Sequence, residues 1–270
     1  MLGHPFSPAY FEARRREDAS PLDFVALNVA IYGPRAERWV LREGRGAERA
    51  RDGLAFGTSA LGWTGDAFEI RLCERSTPWN APVVGRLRLF PTLLDGRPRI
   101  LDTAGGHQWC PIAPLGDVEV QLFEPALRFS GKGYLDSNLG DTSLETAFRS
   151  WTWSRVATRR GASVFYDVLR RDGSRHQTDL DFSSTGETRT HAQTETRDLG
   201  RGRWGVGRVA RTAGPARAIR SLEDAPFYTR TQIEVAGEFG GVGIHESLDL
   251  DRFRARWVRR LIPFRMRRDA

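Results

Sequence analysis

The feature that most constrains this chain is its punctuation: short runs that alternate apolar and polar side chains, cut by Gly, Pro, Asp and Asn. DVEVQL (117–122) shows the pattern, because Val118, Val120 and Leu122 alternate with polar neighbours, the period of two that marks a half-buried strand. FVALNVAIYG (24–33), RWVLRE (38–43), GLAFGTSALGWTGDAFEIRLCE (53–74) and VVGRLRLFP (83–91) have the same character. In SVFYDVLRRDGSRHQTDLDF (163–182) the Asp172-Gly173 pair predicts a hairpin between two such runs. A chain of 270 residues with 28 glycines and almost no helical periodicity is predicted to be all-β, folded into barrels or sandwiches. The turn at EPALRFSG divides it into two comparable β domains, residues 1–125 and 126–270.

The C-terminus departs from this pattern. Phe253, Trp257 and Leu261 fall at i, i+4 and i+8 with Val258 and Ile262 beside them, which predicts a basic amphipathic helix ending at Pro263. Such a stripe suits packing on a barrel or lying in a membrane interface.

Charge and cysteine content narrow the class further. The 41 basic residues include one lysine, Lys132, so the formal charge of +7 is carried by arginine. That balance permits an anionic partner. Arginine in place of lysine is also what a GC-rich genome writes, and no helix-turn-helix, zinc-finger or RNP-type stretch is present, so no nucleic-acid partner is expected. Cys73 and Cys110 are too few for a disulfide framework and read as small core residues in a reducing compartment. MLGHPFSPAYFEARRRED has no apolar signal core, and no stretch approaches the ~18 apolar residues of a membrane span. A cytoplasmic protein with at most peripheral membrane contact is expected.

Most motifs that carry chemistry are missing. His107 and Cys110 stand three apart without a second ligand pair, so no metal is expected. A Ser-His-Asp set is compatible with composition, yet no G-x-S-x-G elbow places a nucleophile. GRGRWGVGR (200–208) matches neither a Walker loop nor a dinucleotide fingerprint and reads as strand and hairpin glycines. What remains is GYLDSNLGDTSLETAFRSWTWSR (133–155). On extended strands Tyr134 and Asp136 share a side, and so do Trp151 and Trp153. An acid beside aromatic faces suits protonation of a carbon–carbon double bond, with π-faces holding the cation at ~0.5–2 kcal/mol each. The acid must then be neutral near pH 7, which asks for about 4 kcal/mol of preference for the protonated form, within reach of burial. A plainer account stands beside it: DSN and GD are ordinary turn sequences, and paired tryptophans are often core. Residue types alone favour the plainer account. Tyr134 and Asp136 also share parity with Arg128, Ser130 and Lys132, a solvent-facing set unless Gly131 and Gly133 redirect the strand.

The 133–155 stretch resembles the signature of the carotenoid 1,2-hydratases, also called hydroxyneurosporene synthases. ALNVAIYGP (26–34), RWVLREGRG (38–46), HQWCPIAPLGDVEVQL (107–122) and LDLDRFRARWVRRLIPFRMRR (248–268) are similar to the same family, so the resemblance runs from about residue 22 to 268. It implies two lipocalin-like antiparallel β-barrel domains with a short C-terminal helix. It further implies addition of water to the terminal C1,C2 double bond of acyclic carotenoids such as neurosporene and lycopene, without a cofactor, at the inner or photosynthetic membrane. The family's acid falls on Asp136 and its aromatic partners on Tyr134 and Trp109, with Trp151 and Trp153 as further cation-facing rings. Asn138, Asp141 and Glu145 would orient the loop or the water, Glu145 being a second candidate acid. The chain is compact for the family, and Cys110 beside Trp109 is a departure that bears on substrate choice. Two other readings of the same residues are a lipocalin-like cyclase or isomerase and a non-catalytic isoprenoid carrier.

Overall fold

In the computed structural model, which describes residues 1–16, 19–34, 36–191 and 194–268, strands dominate. In chain order they are β1 (Val25–Ile31), β2 (Arg38–Gly44), β3 (Ala47–Ala50), β4 (Gly53–Phe56), β5 (Ser59–Trp63), β6 (Phe68–Arg75), β7 (Pro82–Leu93), β8 (Arg99–Ile100), β9 (His107–Glu124) and β10 (Leu127–Gly140). They continue as β11 (Phe148–Thr158), β12 (Gly161–Arg170), β13 (Arg175–Ser183), β14 (Thr188–Thr190), β15 (Glu195–Arg201), β16 (Gly207–Thr212), β17 (Ala216–Asp224), β18 (Tyr228–Val235), β19 (Gly241–Asp249) and β20 (Arg267–Arg268). The helices α1 (Pro8–Arg14), α2 (Leu144–Ala147), α3 (Leu250–Phe253) and α4 (Arg256–Leu261) are short.

One sheet runs β10-β9-β7-β6-β5-β4-β3 with β8 on β9, and another runs β14-β13-β12-β11-β19-β18-β17. β1 and β2 pair antiparallel and β20 joins β2 in parallel, while β15 and β16 form a two-stranded ribbon. The all-β expectation is met by this architecture.

The chain packs as two compact units, each gathered from separated stretches. Unit 1 comprises Met1–Pro91, Gly116–Tyr134 and Arg259–Ala270. Unit 2 comprises Thr92–Leu115 and Leu135–Val258. The sequence halves meet at the β9–β10 turn, after Glu124.

Alternation decides the strands as expected. In β9, Val120 and Leu122 are buried between the exposed or half-buried Glu119, Gln121 and Phe123. In β18 every second residue from Thr229 to Val235 is buried. Asp172 and Gly173 do form the β12–β13 turn: Gly173 has φ +88°, and Asp172 Oδ1 accepts from the Ser174 N–H at 2.8 Å. The 200–208 glycines likewise close the β15–β16 hairpin, where the Gly202 N–H donates to the Val206 carbonyl.

Inside unit 1 a buried ion pair links β2 to the larger sheet. The Arg42 guanidinium donates to both oxygens of Glu74, from Nε at 2.9 Å and Nη2 at 2.8 Å. Ser59 Oγ also donates to Glu74 at 2.6 Å, and the Phe56 ring lies 4.0 Å beneath the guanidinium. Satisfied on all sides, the pair avoids the penalty of a lone buried charge.

The C-terminal helix differs from expectation. It is two helices, α3 and α4, separated at Arg254 and Ala255, and Pro263 lies within a 3-10 turn at Ile262–Arg265. Phe253 and Val258 are both fully buried. Five residues apart, they would lie about 140° apart around one straight helix, so the chain breaks between them to bury both. Trp257 and Leu261 are thereby left on the outside. Helix α1 was not foreseen, although Ser7-Pro8 is a start signal: Ser7 Oγ accepts from the Tyr10 N–H at 3.0 Å and Pro8 occupies the first turn.

Candidate active site

A two-residue turn at Arg159–Arg160 sets the geometry of unit 2. It pairs Thr158 with Gly161 and, counting back along the ladder, Trp153 with Tyr166 and Trp151 with Val168. Directly paired residues project to the same face, so Trp151, Trp153 and Tyr166 line one side of the sheet. The β11–β19 register adds Glu246 opposite Trp153 and Leu248 opposite Trp151.

Trp109 and Asp136 stand against these rings. Trp109 Nε1 donates to Asp136 Oδ2 at 2.7 Å, and the indole has no exposed surface. Its ring centroid is 5.6 Å from that of Tyr166, and the Trp151 centroid is 5.8 Å from that of Tyr166. The Tyr166 hydroxyl donates to Asn138 Oδ1 at 3.0 Å. Burial, and then the nearby Asp136 and Glu246, push the phenol pKa far above its ordinary value, so it remains a donor. Trp151 carries a buried indole N–H without a hydrogen-bond partner.

The structure thus brings together Asp136, Trp109, Asn138 and Trp151, and places Trp153 in the same row. Tyr134 is half-buried two positions before Asp136 on β10, at the same parity. The parity conflict is resolved by what β10 passes. Residues 128–132 are exposed and 133–136 half-buried along one unbroken strand, so Asp136 occupies a different environment from Lys132. Glu145 is buried in α2, where its carbonyl accepts from Arg171 Nε at 2.9 Å, beside the ion pairs of Arg171 and Arg149 with Asp251.

Two other residues near the cluster are fixed by their surroundings. His107 is buried, its Nε2 3.0 Å from Thr142 Oγ1 and its ring edge-on to Phe148, and burial lowers its pKa so that it stays neutral. Gly140 makes room for it, since a Cβ there would lie 2.5 Å from His107 Nδ1. The Cys110 thiol is pushed up, by burial first and then by Asp95 and Asp136, so it is not a ready nucleophile.

Sequence reasoning missed Tyr166. Its signal was the TRRGAS hairpin, whose two-residue turn fixes the sum of paired positions and hence sets Tyr166 beside Trp153. Among the described residues, no three His, Cys, Asp or Glu side chains gather as metal ligands would. A cavity of about 700 Å³ lies lower on the same sheet, lined by Ala157–Arg160 and by residues from Glu234 to Val242, and none of the clustered aromatic residues borders it.

Fold and site define an all-β, lipocalin-like protein whose distinguishing feature is a carboxyl group held by an indole N–H among buried rings. A crystal structure from Nitrosomonas europaea described as AttH superposes with a TM-score of 0.60 over 83% of this chain and 81% of that one, at 14% identity. In sequence, the chain is 44% identical to the acyclic carotenoid 1,2-hydratase of Thiocapsa roseopersicina, over 99% of this chain and 68% of the relative. The enzyme of the same name from Cereibacter sphaeroides is 38% identical over 99% of this chain and 96% of its own length. The family model of carotenoid hydratase CrtC matches residues 1–270, and the chain belongs to that family.

Proposed function

We propose that this chain adds water to the terminal C1,C2 double bond of an acyclic carotenoid, with Asp136 as the proton donor. The observation that carries the site assignment is the 2.7 Å hydrogen bond from the fully buried Trp109 to Asp136, with Trp109 in turn beside Tyr166 and Tyr166 beside Trp151. The Asp136 hydroxyl gives its proton to C2, and the π-electrons leave a tertiary cation at C1. Trp109, Trp151, Trp153 and Tyr134 offer the faces that hold the cation, each worth ~0.5–2 kcal/mol. Water then bonds to C1 and the resulting oxonium loses a proton, giving the tertiary alcohol. Asn138, held by Tyr166, supplies a polar group beside the rings. Glu145 is kept as the second candidate acid. The chemistry described needs no cofactor, because acid, cation and water balance the reaction by themselves.

The same proposal includes a division into lipocalin-like halves at residue 125 and a peripheral membrane attachment. The segment α4 and its following turn exposes Trp257, Leu261 and Phe264 among Arg256, Arg260 and Arg265, a composition suited to an anionic bilayer holding an apolar substrate. No helix among the described residues is long and apolar enough to cross a membrane. Expression of the chain in a lycopene-producing host tests the reaction: pigment carrying a tertiary alcohol at C1 supports it, and unchanged or cyclised pigment contradicts it.

A further inference from the structure

A hydratase of this kind needs a second polar group besides its acid, because the water that captures the cation must be held and then relieved of a proton. The row of paired residues that contains Tyr166 and Trp153 continues across the sheet to Glu246 on β19 and Arg230 on β18. All four project to the aromatic face. Glu246 stands beside Trp153 and two strands, about 10 Å, from Tyr166. Two groups hold it in place, and a further carboxylate holds one of them. Arg230 Nε donates to Glu246 Oε1 at 2.8 Å, Arg230 Nη1 donates to Glu223 Oε1 at 2.7 Å, and the Tyr228 hydroxyl is hydrogen-bonded to Glu246. Arg230 is held charged by Glu246, Tyr228 and Glu223, despite a burial that works against it. An ion pair of this kind, facing indoles, is costly unless it has a use or is fully satisfied.

We propose that Glu246, oriented by Tyr228 and Arg230, is the group that holds the incoming water and accepts its proton. The inference rests on the hydratase reading with Asp136 as acid. Two carboxylates then divide the work, Asp136 beside Trp109 and Glu246 beside Trp153. The Asp136 O–H breaks as C2–H forms, and the water oxygen bonds to C1. An O–H bond of the oxonium breaks, its proton passing to a carboxylate oxygen of Glu246. Exchange with solvent returns Glu246 to carboxylate and Asp136 to acid, so the net change is alkene plus water to alcohol. Arg230 does not prevent the step, because an alkyl oxonium is far more acidic than any carboxylic acid. Without Glu246 the cation has another exit, loss of a carbon-bound proton to regenerate an alkene.

That partition is the test. Purified protein is incubated with lycopene in deuterated water, and deuterium in recovered alkene (exchange) is measured against alcohol formed (hydration). Glu246→Gln is expected to lower hydration about tenfold or more while exchange persists, raising the ratio of exchange to hydration by a similar factor. Tyr228→Phe, which keeps the ring and removes one hydrogen bond to Glu246, should raise the ratio by a smaller factor and decides the matter if Glu246→Gln does not fold. A wild-type ratio in the folded variants overturns the proposal, and so does loss of exchange together with hydration in Glu246→Gln, which would place the residue before cation formation. Asp136→Asn in the same assay should show neither exchange nor hydration. Normal turnover there would sink the acid assignment, a result distinct from any failure at Glu246.

Discussion

Trp109 supplies an N–H as well as a π-face, and the two roles separate on substitution. Trp109→Phe keeps a ring but removes the donor to Asp136, a hydrogen bond to a charged or polar partner worth about 1–3 kcal/mol. It should lower hydration about tenfold or more at modest cost in thermal stability, as assayed by product formation and melting. His245 gives a pH-dependent prediction in a residue outside the chemistry. It is buried between Ser154 and Ser247 at 2.9 Å each, and burial, then Arg208, lowers its pKa to about 3. Because the folded value lies below the unfolded value near 6.5, stability is full above pH 6.5 and is lost as pH falls toward 3. Relative to His245→Asn, wild-type protein should lose about 2 kcal/mol between pH 7.5 and pH 5, measured by denaturant unfolding. Asp136, Trp109 and the two paired tryptophans were legible in the sequence as residue types joined to a family motif. Tyr166 and Glu246 were not, because nothing in SVFYDVL or HESL marks them until strand pairing sets them beside Trp153.

At the scale of elements, hairpins were the most readable parts, since Asp172-Gly173 and the 200–208 glycines determine their turns locally. Sheet order was not readable: β11 pairs with β19, across almost ninety residues of chain, and only packed faces decide such a choice. The C-terminal stripe was misread for a related reason. Periodicity identified its apolar residues, but the burial of both Phe253 and Val258 depends on what each meets, and the chain breaks to satisfy both. The Arg42–Glu74 pair was also invisible in sequence, and it is testable. Arg42→Met leaves Glu74 buried without its cation and should destabilise unit 1 by about 3–5 kcal/mol, whereas adding Glu74→Leu should restore a large part of the loss. Urea unfolding of both variants measures the difference.

At the scale of the whole molecule, a formal charge of +7 carried by arginine and an exposed Trp257, Leu261 and Phe264 fit attraction to an anionic bilayer followed by shallow insertion of rings and aliphatic chains. Trp257→Ser with Leu261→Ser should reduce flotation with liposomes containing anionic lipid, and added salt should reduce it further; unchanged flotation would remove this segment from the attachment. All-β character and the family were legible across nearly the full chain, whereas the interleaved make-up of the compact units was not, because β9 and β10 each contribute to both. The central claim is that one carboxylic acid, the half-buried Asp136 held by Trp109, starts the reaction. Asp136→Asn, assayed with lycopene for alcohol formation and by tryptophan fluorescence for binding, tests it most directly. Retained binding with hydration lowered by about a hundredfold or more is the predicted result, and hydration near the wild-type rate would contradict it.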